Sequence, residues 1–312
     1  METRLLLEKI RENIARVLVG HQDAIDLLLI ALLCQGHVLI EDVPGVGKTT
    51  LAQAFARSLD LSFRRIQFTP DVLPSDITGY HLYDLKENRM TFQEGALMSQ
   101  IILADEINRS SPKTQSSLLE VMEENQVTVD GVTRRVPRPF MVLATQNPIE
   151  YAGTFPLPEA QLDRFLLRIS IGYPTHPEEI AILQKHVSPL PVTELQPVAD
   201  QSAVEALQQT VREITISLPV MEYITRISEK TRQHESIALG ISPRGSIALM
   251  RAARARARLQ NRDFVLPDDI QALAMPVLLH RIVLRPEAAL NAGSARQVLD
   301  QLIHSVAVPA VR

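Results

Sequence analysis

The chain has 312 residues, 46% of them apolar, and a formal net charge of −4. That length accommodates two domains, each able to bury its own core, and the composition excludes both a disordered chain and a protein that holds nucleic acid by bulk charge. Tryptophan is absent and aromatics are few, which leaves little material for base-stacking platforms, and the single cysteine, Cys34, excludes an intramolecular disulfide.

Glu2, Arg4, Glu8 and Lys9 interrupt the leucines of the N-terminus, so it does not read as a signal peptide. The apolar run around Leu27 to Cys34 is too short to span a bilayer, and the expectation is a cytoplasmic protein with no membrane span. Leu5, Leu6, Ile10, Ile14, Val17 and Leu18 recur at helical spacing and predict a helix over about 3–17. Val19-Gly20-His21-Gln22 breaks it, and Asp23 starts a second helix to about Gln35. The strand His37-Val38-Leu39-Ile40 then runs into Glu41-Asp42-Val43-Pro44-Gly45-Val46-Gly47-Lys48-Thr49-Thr50, followed by a helix over Leu51 to Ser58. Strand, glycine loop and helix form the context of a phosphate-binding P-loop. Gly45 and Gly47 let backbone N–H groups cradle phosphates at the positive end of the helix. Lys48 is placed to reach the β- and γ-phosphates of ATP, and the Thr49 hydroxyl to hold Mg²⁺. One position departs from the G-x-x-x-x-G-K-[ST] pattern: its first glycine is Asp42.

Leu61 to Phe68 reads as a second strand, with imperfect alternation. Strands alternating with helices predict an α/β layered domain with a largely parallel sheet. Pro70, Pro74, Asp76 and Gly79 are turn residues; Tyr80 to Tyr83 and Met90 to Phe92, around a polar tip at Glu87-Asn88, suggest a hairpin or irregular insertion. Gln100-Ile101-Ile102-Leu103-Ala104-Asp105-Glu106 is an apolar strand ending in two acids, a Walker B pattern. Asp105 would hold the water shell of Mg²⁺. Glu106 would polarise the attacking water, a general-base contribution of ~10²–10⁴-fold. A helix over Pro112 to Glu124 and a hairpin about Asp130-Gly131 follow, with Arg134, Arg135 and Arg138 on the return arm. Phe140 to Ala144 is a further buried strand that ends in Thr145-Gln146-Asn147-Pro148, where an amide could orient water. Pro156 to Arg164 carries a short helix, and Phe165 to Ile171 closes the sheet. The prolines of Ser188 to Pro197 mark a domain boundary. Beyond it the pattern is helical throughout: about 204–211, 220–233, 244–260, 268–279 and 286–306.

These motifs, in this order, resemble an AAA+ ATPase, and more narrowly the MoxR family. The resemblance rests on Glu41 to Thr49, on Leu103-Ala104-Asp105-Glu106-Ile107-Asn108-Arg109, on Ala144 to Pro148, and on Leu157-Pro158-Glu159-Ala160-Gln161-Leu162-Asp163-Arg164-Phe165. It covers nearly the whole chain and accounts for Asp42, since acids are usual there in that family. It implies an αβα sandwich with a mostly parallel sheet over residues 1–190, followed by an all-α lid over 191–312. By position, Asn147 matches sensor 1, Arg164 the arginine finger that reaches a neighbouring subunit's nucleotide, and Arg244 sensor 2, in cis or in trans. Val19 and Gly20 match the segment that contacts adenine, and the loop from Pro44 through Val46 to Thr50 matches the nucleotide cradle. Residues 80–95 match the helix-2 insert and 126–139 the hairpin before sensor 1, both resembling elements that other AAA+ rings use for remodelling.

The resemblance further implies a ring homo-oligomer, often a hexamer, with ATP and Mg²⁺, that matures client proteins, often ones with a von Willebrand factor A-type domain. A metal-chelatase motor subunit shares the architecture and is the nearest alternative. A nucleic-acid motor is motivated by the arginines at 134–138 and 251–258 and opposed by the acidic net charge. A nonhydrolysing nucleotide switch is opposed by Glu106. His21, His37 and His81 lack partners at metal-ligand spacing and read as structural, and Asn108 and Arg109 take no assigned role.

Overall fold

The computed structural model describes residues 2–86, 88–147, 153–187, 190–291 and 294–310. Helices α1 (Glu2–Ala15) and α2 (Gln22–Leu33) meet at a corner where His21 takes a left-handed φ of 60°. The chain continues through β1 (Val38–Glu41), α3 (Lys48–Ser58), β2 (Phe63–Gln67), α4 (Pro74–Thr78), β3 (Gly79–Asp84), β4 (Arg89–Glu94) and β5 (Ile101–Asp105). Next come α5 (Pro112–Glu124), β6 (Gln126–Val129), β7 (Val132–Arg135), β8 (Met141–Gln146), α6 (Glu159–Leu162), β9 (Leu167–Ile169) and α7 (His176–Val187). The remainder is α8 (Gln201–Arg212), α9 (Leu218–Gln233), β10 (Ile237–Leu239), α10 (Pro243–Leu259), α11 (Pro267–Leu278), β11 (Val283–Leu284), α12 (Pro286–Asn291) and α13 (Ala295–His304).

Five strands form a parallel sheet in the order β2-β5-β8-β1-β9. The central strands are near-continuous apolar runs because helices cover both faces. Alternation decides which side chain meets which layer. Val38, Ile40, Ile101 and Leu103 pack with α1, α2 and α3, while Leu39, Ile102 and Ala104 pack with Leu118, Leu119 and Met122 of α5. Because the strands are parallel, the polar residues that end β1, β5 and β8 come to one edge. There Glu41, Asp42, Asp105, Glu106, Gln146 and Asn147 gather, at the position where open α/β sheets bind ligands.

The insertion after β2 resolves into α4 and the antiparallel hairpin β3–β4, and the Asp130-Gly131 turn joins β6 to β7. The first tip residue, Glu87, lies outside the described residues. The two hairpins touch: His81 Nδ1 lies 2.7 Å from Asp130 Oδ2, and the Arg134 guanidinium sits 3.8 Å above the Phe92 ring. Helix α7 is not among the expected elements: none of its side chains is buried, so no apolar stripe marks it, although Thr175 and Glu178 stand at capping-box spacing and Pro177 suits a first turn.

The expected boundary begins on Ser188 and Pro189, which lie outside the described residues. The stretch that follows packs back on α3, where Arg57 Nε donates to Leu195 O at 3.1 Å and Val198 N to Ser58 O at 2.9 Å. The second unit is helical with one correction: β10 and β11 pair antiparallel, strands of three and two residues that leave no periodicity to read. The single helix expected over 286–306 is two, because Ser294 with Gln297 builds a capping box that starts α13 afresh. Its apolar face, with those of α8 to α11, joins the α1–α3 core in one buried cluster.

Candidate functional site

Gly47 (φ 88°) ends the glycine loop in a left-handed conformation, closed to most side chains, and caps α3 with no side chain. The first-turn N–H groups of α3 therefore have no intrahelical acceptor and no capping oxygen. A Cβ added at Gly45 would meet nothing within 4 Å, so the loop is an open cradle. Pro44, Gly45, Gly47, Lys48, Thr49 and Thr50 border a cavity of about 410 Å³ with Arg65, Gln67, Asp105, Glu106 and Asn147. The Lys48 ammonium donates to Asp42 O at 3.0 Å.

Asp42 does not face that cavity. Its Oδ1 accepts from Val43 N at 2.9 Å, and Oδ2 accepts from Ile171 N (2.5 Å), Gly172 N (2.7 Å) and Ser170 Oγ (3.2 Å). The acid in place of glycine ties the start of the P-loop to the chain leaving β9.

Across the cavity, Thr145 links the two acids of β5. Its hydroxyl donates to Asp105 Oδ1 at 2.6 Å and accepts from Glu106 N at 2.8 Å. Arg65 pairs with Asp105 Oδ2 at 2.6 Å, and Gln67 Nε2 donates to Glu106 Oε2 at 2.8 Å. Glu106 holds φ 56°, ψ 48°, an uncommon conformation for a non-glycine residue and of the kind that gathers at functional sites. Arg109 Nε lies 3.3 Å from Glu106 Oε2, which gives a contact to a residue that the motif left without a role. Asn147, buried at the end of β8, borders the same cavity. The Thr49 hydroxyl and Asp105 carboxylate form an oxygen-only donor set that suits a small hard cation keeping several waters, as Mg²⁺ does. Among the described residues no three His, Cys, Asp or Glu side chains cluster as metal ligands, so such a cation would draw its other ligands from water and phosphate.

A second cavity, of about 380 Å³, opens on the other side of the loop and shares Gly45, Gly47 and Thr50 with the first. Val17, Leu18, Val19, Val46, Pro174 and Ile182 give it apolar walls suited to a flat base. Gly20 does not border it; it lies under α7, where the Glu178 carboxylate fills the space a Cβ would need. Lys185 Nζ donates to Ala15 O (2.8 Å) and Arg16 O (3.0 Å), which fastens the far end of α7 over this cavity.

Arg164 and Arg244 are brought together, but away from the P-loop. Arg164 Nε donates to Glu123 Oε2 at 2.9 Å and Arg244 to Glu123 Oε1 at 3.2 Å. The hydrogen bond from Arg164, and then the charge of Arg244, hold the Glu123 carboxyl below its usual range. The spacing gives no sign of Glu123, nor of Thr145. Arg65 and Gln67 did leave a trace: they are the polar residues two apart that spoil the alternation of β2. On the basic helix α10, Arg254, Arg256 and Arg258 are half-buried and paired within the chain, to Ile214 O, Asp269 and Asp263, while Arg251 is exposed. His37 is a core residue, its Nδ1 accepting from Val142 N (3.0 Å) and its Nε2 meeting Met122 O (3.0 Å), and burial pushes it down to about 4.

Residues 37–167 match the model of the ATPase family associated with various cellular activities (AAA), and 229–302 match the AAA lid domain. The chain is 52% identical to the Bacillus subtilis protein YeaC over 98% of its own length and 96% of that protein's. It is 39% identical to Chaperone MoxR1 of Mycobacterium tuberculosis over 98% and 83%, and 34% identical to Protein MoxR of Paracoccus denitrificans over 86% of each chain. A crystal structure from Cytophaga hutchinsonii, described there as a candidate ATPase, superposes with a TM-score of 0.93 at 37% identity and covers 99% and 96% of the two chains.

Proposed function

The chain belongs to the MoxR family of AAA+ ATPases, and from that premise we propose that it hydrolyses ATP between subunits of a ring and uses the cycle to remodel or activate a partner protein. One observation carries the reading. Lys48, Thr49, Asp105, Glu106 and Asn147 border one cavity at the glycine loop, while Arg164 and Arg244 stand together elsewhere on the same chain.

In this reading the base enters the apolar cavity at Val19, and the phosphates take the N–H groups from Gly45 to Thr50. Lys48 offers its charge to the β- and γ-phosphates. Thr49, and Asp105 through water, would hold Mg²⁺, which would supply positive charge to the phosphate oxygens. Glu106, steadied by Gln67, takes the proton of the attacking water, and Asn147 orients that water. Arg164 and Arg244 leave Glu123 for the neighbour's γ-phosphate and stabilise the charge that develops there. A group of this kind is worth ~10³–10⁵ in rate in well-studied GTPases. A head-to-tail interface of this type closes into a ring, for which we propose a hexamer.

The same reading divides the chain into a nucleotide-binding unit, 1–190, and a lid, 191–312. The client, for which a von Willebrand factor A-type protein is the leading candidate, meets the two hairpins, where Leu82, Leu85 and Met90 are exposed. The pairing of Arg254, Arg256 and Arg258 within the chain weakens part of the motive for a nucleic-acid motor.

The test is a pair of variants. Lys48→Ala loses ATP binding. Glu106→Gln keeps binding, loses turnover, and retains a client protein that the first variant releases. Hydrolysis surviving Lys48→Ala, or nucleic acid retained in place of protein, would overturn the assignment.

A further inference from the structure

The two arginines that reach for a neighbour sit on different elements, Arg164 after α6 and Arg244 in the first turn of α10, and a shared surface carboxylate does not by itself fix their register. Below them lies a buried network that does. The Arg281 side chain, from the turn after α11, is 3% exposed. Its Nε donates to Asp163 Oδ1 at 2.7 Å, and its terminal nitrogens donate to the carbonyls of Asp163 (3.2 Å), Phe165 (2.6 Å) and Leu166 (3.3 Å). These acceptors flank Arg164 on both sides, so one guanidinium from the lid grips the backbone of the finger loop. His280, its neighbour, adds a contact of 3.0 Å to Phe165 O.

The other oxygen of Asp163 reaches Arg244. Asp163 Oδ2 accepts from Ser242 Oγ at 3.2 Å, and Ser242 is the N-cap of α10, its hydroxyl accepting in turn from Gly245 N at 3.2 Å. Gly245 allows the approach, because a Cβ there would stand 3.0 Å from Arg281 Cδ and 2.8 Å from Ile241 Cγ2. One carboxylate thus ties the loop of Arg164 to the helix start of Arg244.

We propose that Asp163 and Arg281 are positioning residues that lock Arg164 and Arg244 into one unit, and that they serve the nucleotide of the adjacent subunit, not their own. The inference rests on the reading above that both arginines act across the interface. Lid and finger loop then move together, so a lid displaced by its own nucleotide shifts both arginines offered to the neighbour. A displacement of about 1 Å at such a group costs ~10²-fold in rate.

The test measures Asp163→Asn and Arg281→Lys as full-length protein, with Arg164→Ala as reference. The expected result is a kcat lower by about 10²-fold, with KM and equilibrium ATP binding unchanged, because each variant keeps its own P-loop. Each is then mixed with Lys48→Ala subunits, which cannot bind ATP but present intact arginines. In an equimolar mixture about a quarter of the interfaces pair a working P-loop with an intact arginine donor, and activity reappears. Arg164→Ala rescued while Asp163→Asn and Arg281→Lys are not would mean damage within their own subunit and would overturn the proposal, as would an unchanged kcat or a weakened ATP affinity. Arg164→Ala that is fully active, or never rescued, would instead refute the trans reading and take the proposal with it.

Discussion

Replacing Asp42 by glycine restores the common P-loop pattern and is expected to weaken the protein. The carboxylate accepts four hydrogen bonds, three of them from backbone N–H groups, and Asp42 is 7% exposed. A hydrogen bond to a charged acceptor contributes about 1.5–3 kcal/mol net. Glycine leaves room for water, so the loss is counted for the two closest donors only, Ile171 N and Gly172 N, at the lower figure. That gives about 3 kcal/mol, and the extra freedom of glycine in the unfolded chain adds about 0.5–1 kcal/mol. With an unfolding entropy of about 2.1 cal/mol/K per residue over 312 residues, the melting temperature falls by about 5–6 °C. Asp42→Asn keeps one acceptor oxygen and falls by about half as much. Thermal and urea unfolding without nucleotide measure both. The contact from Lys48 is to the backbone carbonyl of residue 42, which glycine retains, so ATP affinity changes less than stability. A glycine variant melting within about 1 °C of the parent would refute this account of the acid.

His37 ties stability to pH. Folded, it is held near 4 against an ordinary value of 6.5, so the unfolded chain binds its proton more tightly. Stability is whole above about pH 6.5 and falls by about 3 kcal/mol as pH drops toward 4. Urea midpoints across that window should fall more steeply for the parent than for His37→Gln, and parallel curves would sink the burial argument. Thr145→Val keeps the shape but strands Glu106 N–H and removes a donor from Asp105. Turnover should fall about tenfold or more with ATP binding within about threefold, and equal losses in both would assign Thr145 to binding. ATPase activity per subunit should rise with protein concentration, since neither Arg164 nor Arg244 borders the phosphate cavity of its own chain. Constant specific activity on dilution to nanomolar would place the whole reaction in one chain.

Much of the fold was legible because its signals are local. Apolar runs of four to six residues that end in polar side chains give β1, β5 and β8, and a Ser-Pro start gives α5 and α10. What escaped lacked an apolar signature of its own. Helix α7 buries nothing, so burial enforces no stripe on it, and β10–β11 is too short for alternation to register. The break before α13 is written in Ser294 and Gln297, but the apolar residues on either side continue at helical spacing and hide it.

The site divides in the same way, and the division bears on mechanism. Lys48, Thr49, Asp105, Glu106 and Asn147 lie in motifs, and parallel strands carry such motifs to one edge whatever lies between them. Residues that hold the motifs do so from other strands and helices. Arg65 reaches Asp105 across forty residues, Thr145 reaches Glu106 across thirty-nine, and Arg281 reaches Asp163 across a hundred and eighteen. Spacing cannot encode these pairs, because only the folded sheet and the docked lid create them. Sequence also shows the order of Arg164 and Arg244 but not the face they occupy. Their common tether at Glu123 keeps both away from the residues that border the phosphate cavity, which is what the proposed trans role asks of them. Two half-sites on separate faces of a chain fit a head-to-tail neighbour better than a self-sufficient monomer. In the proposed ring, a force that turns the lid of one subunit would reach the next through Arg281 and Asp163, with no need of a dedicated linker.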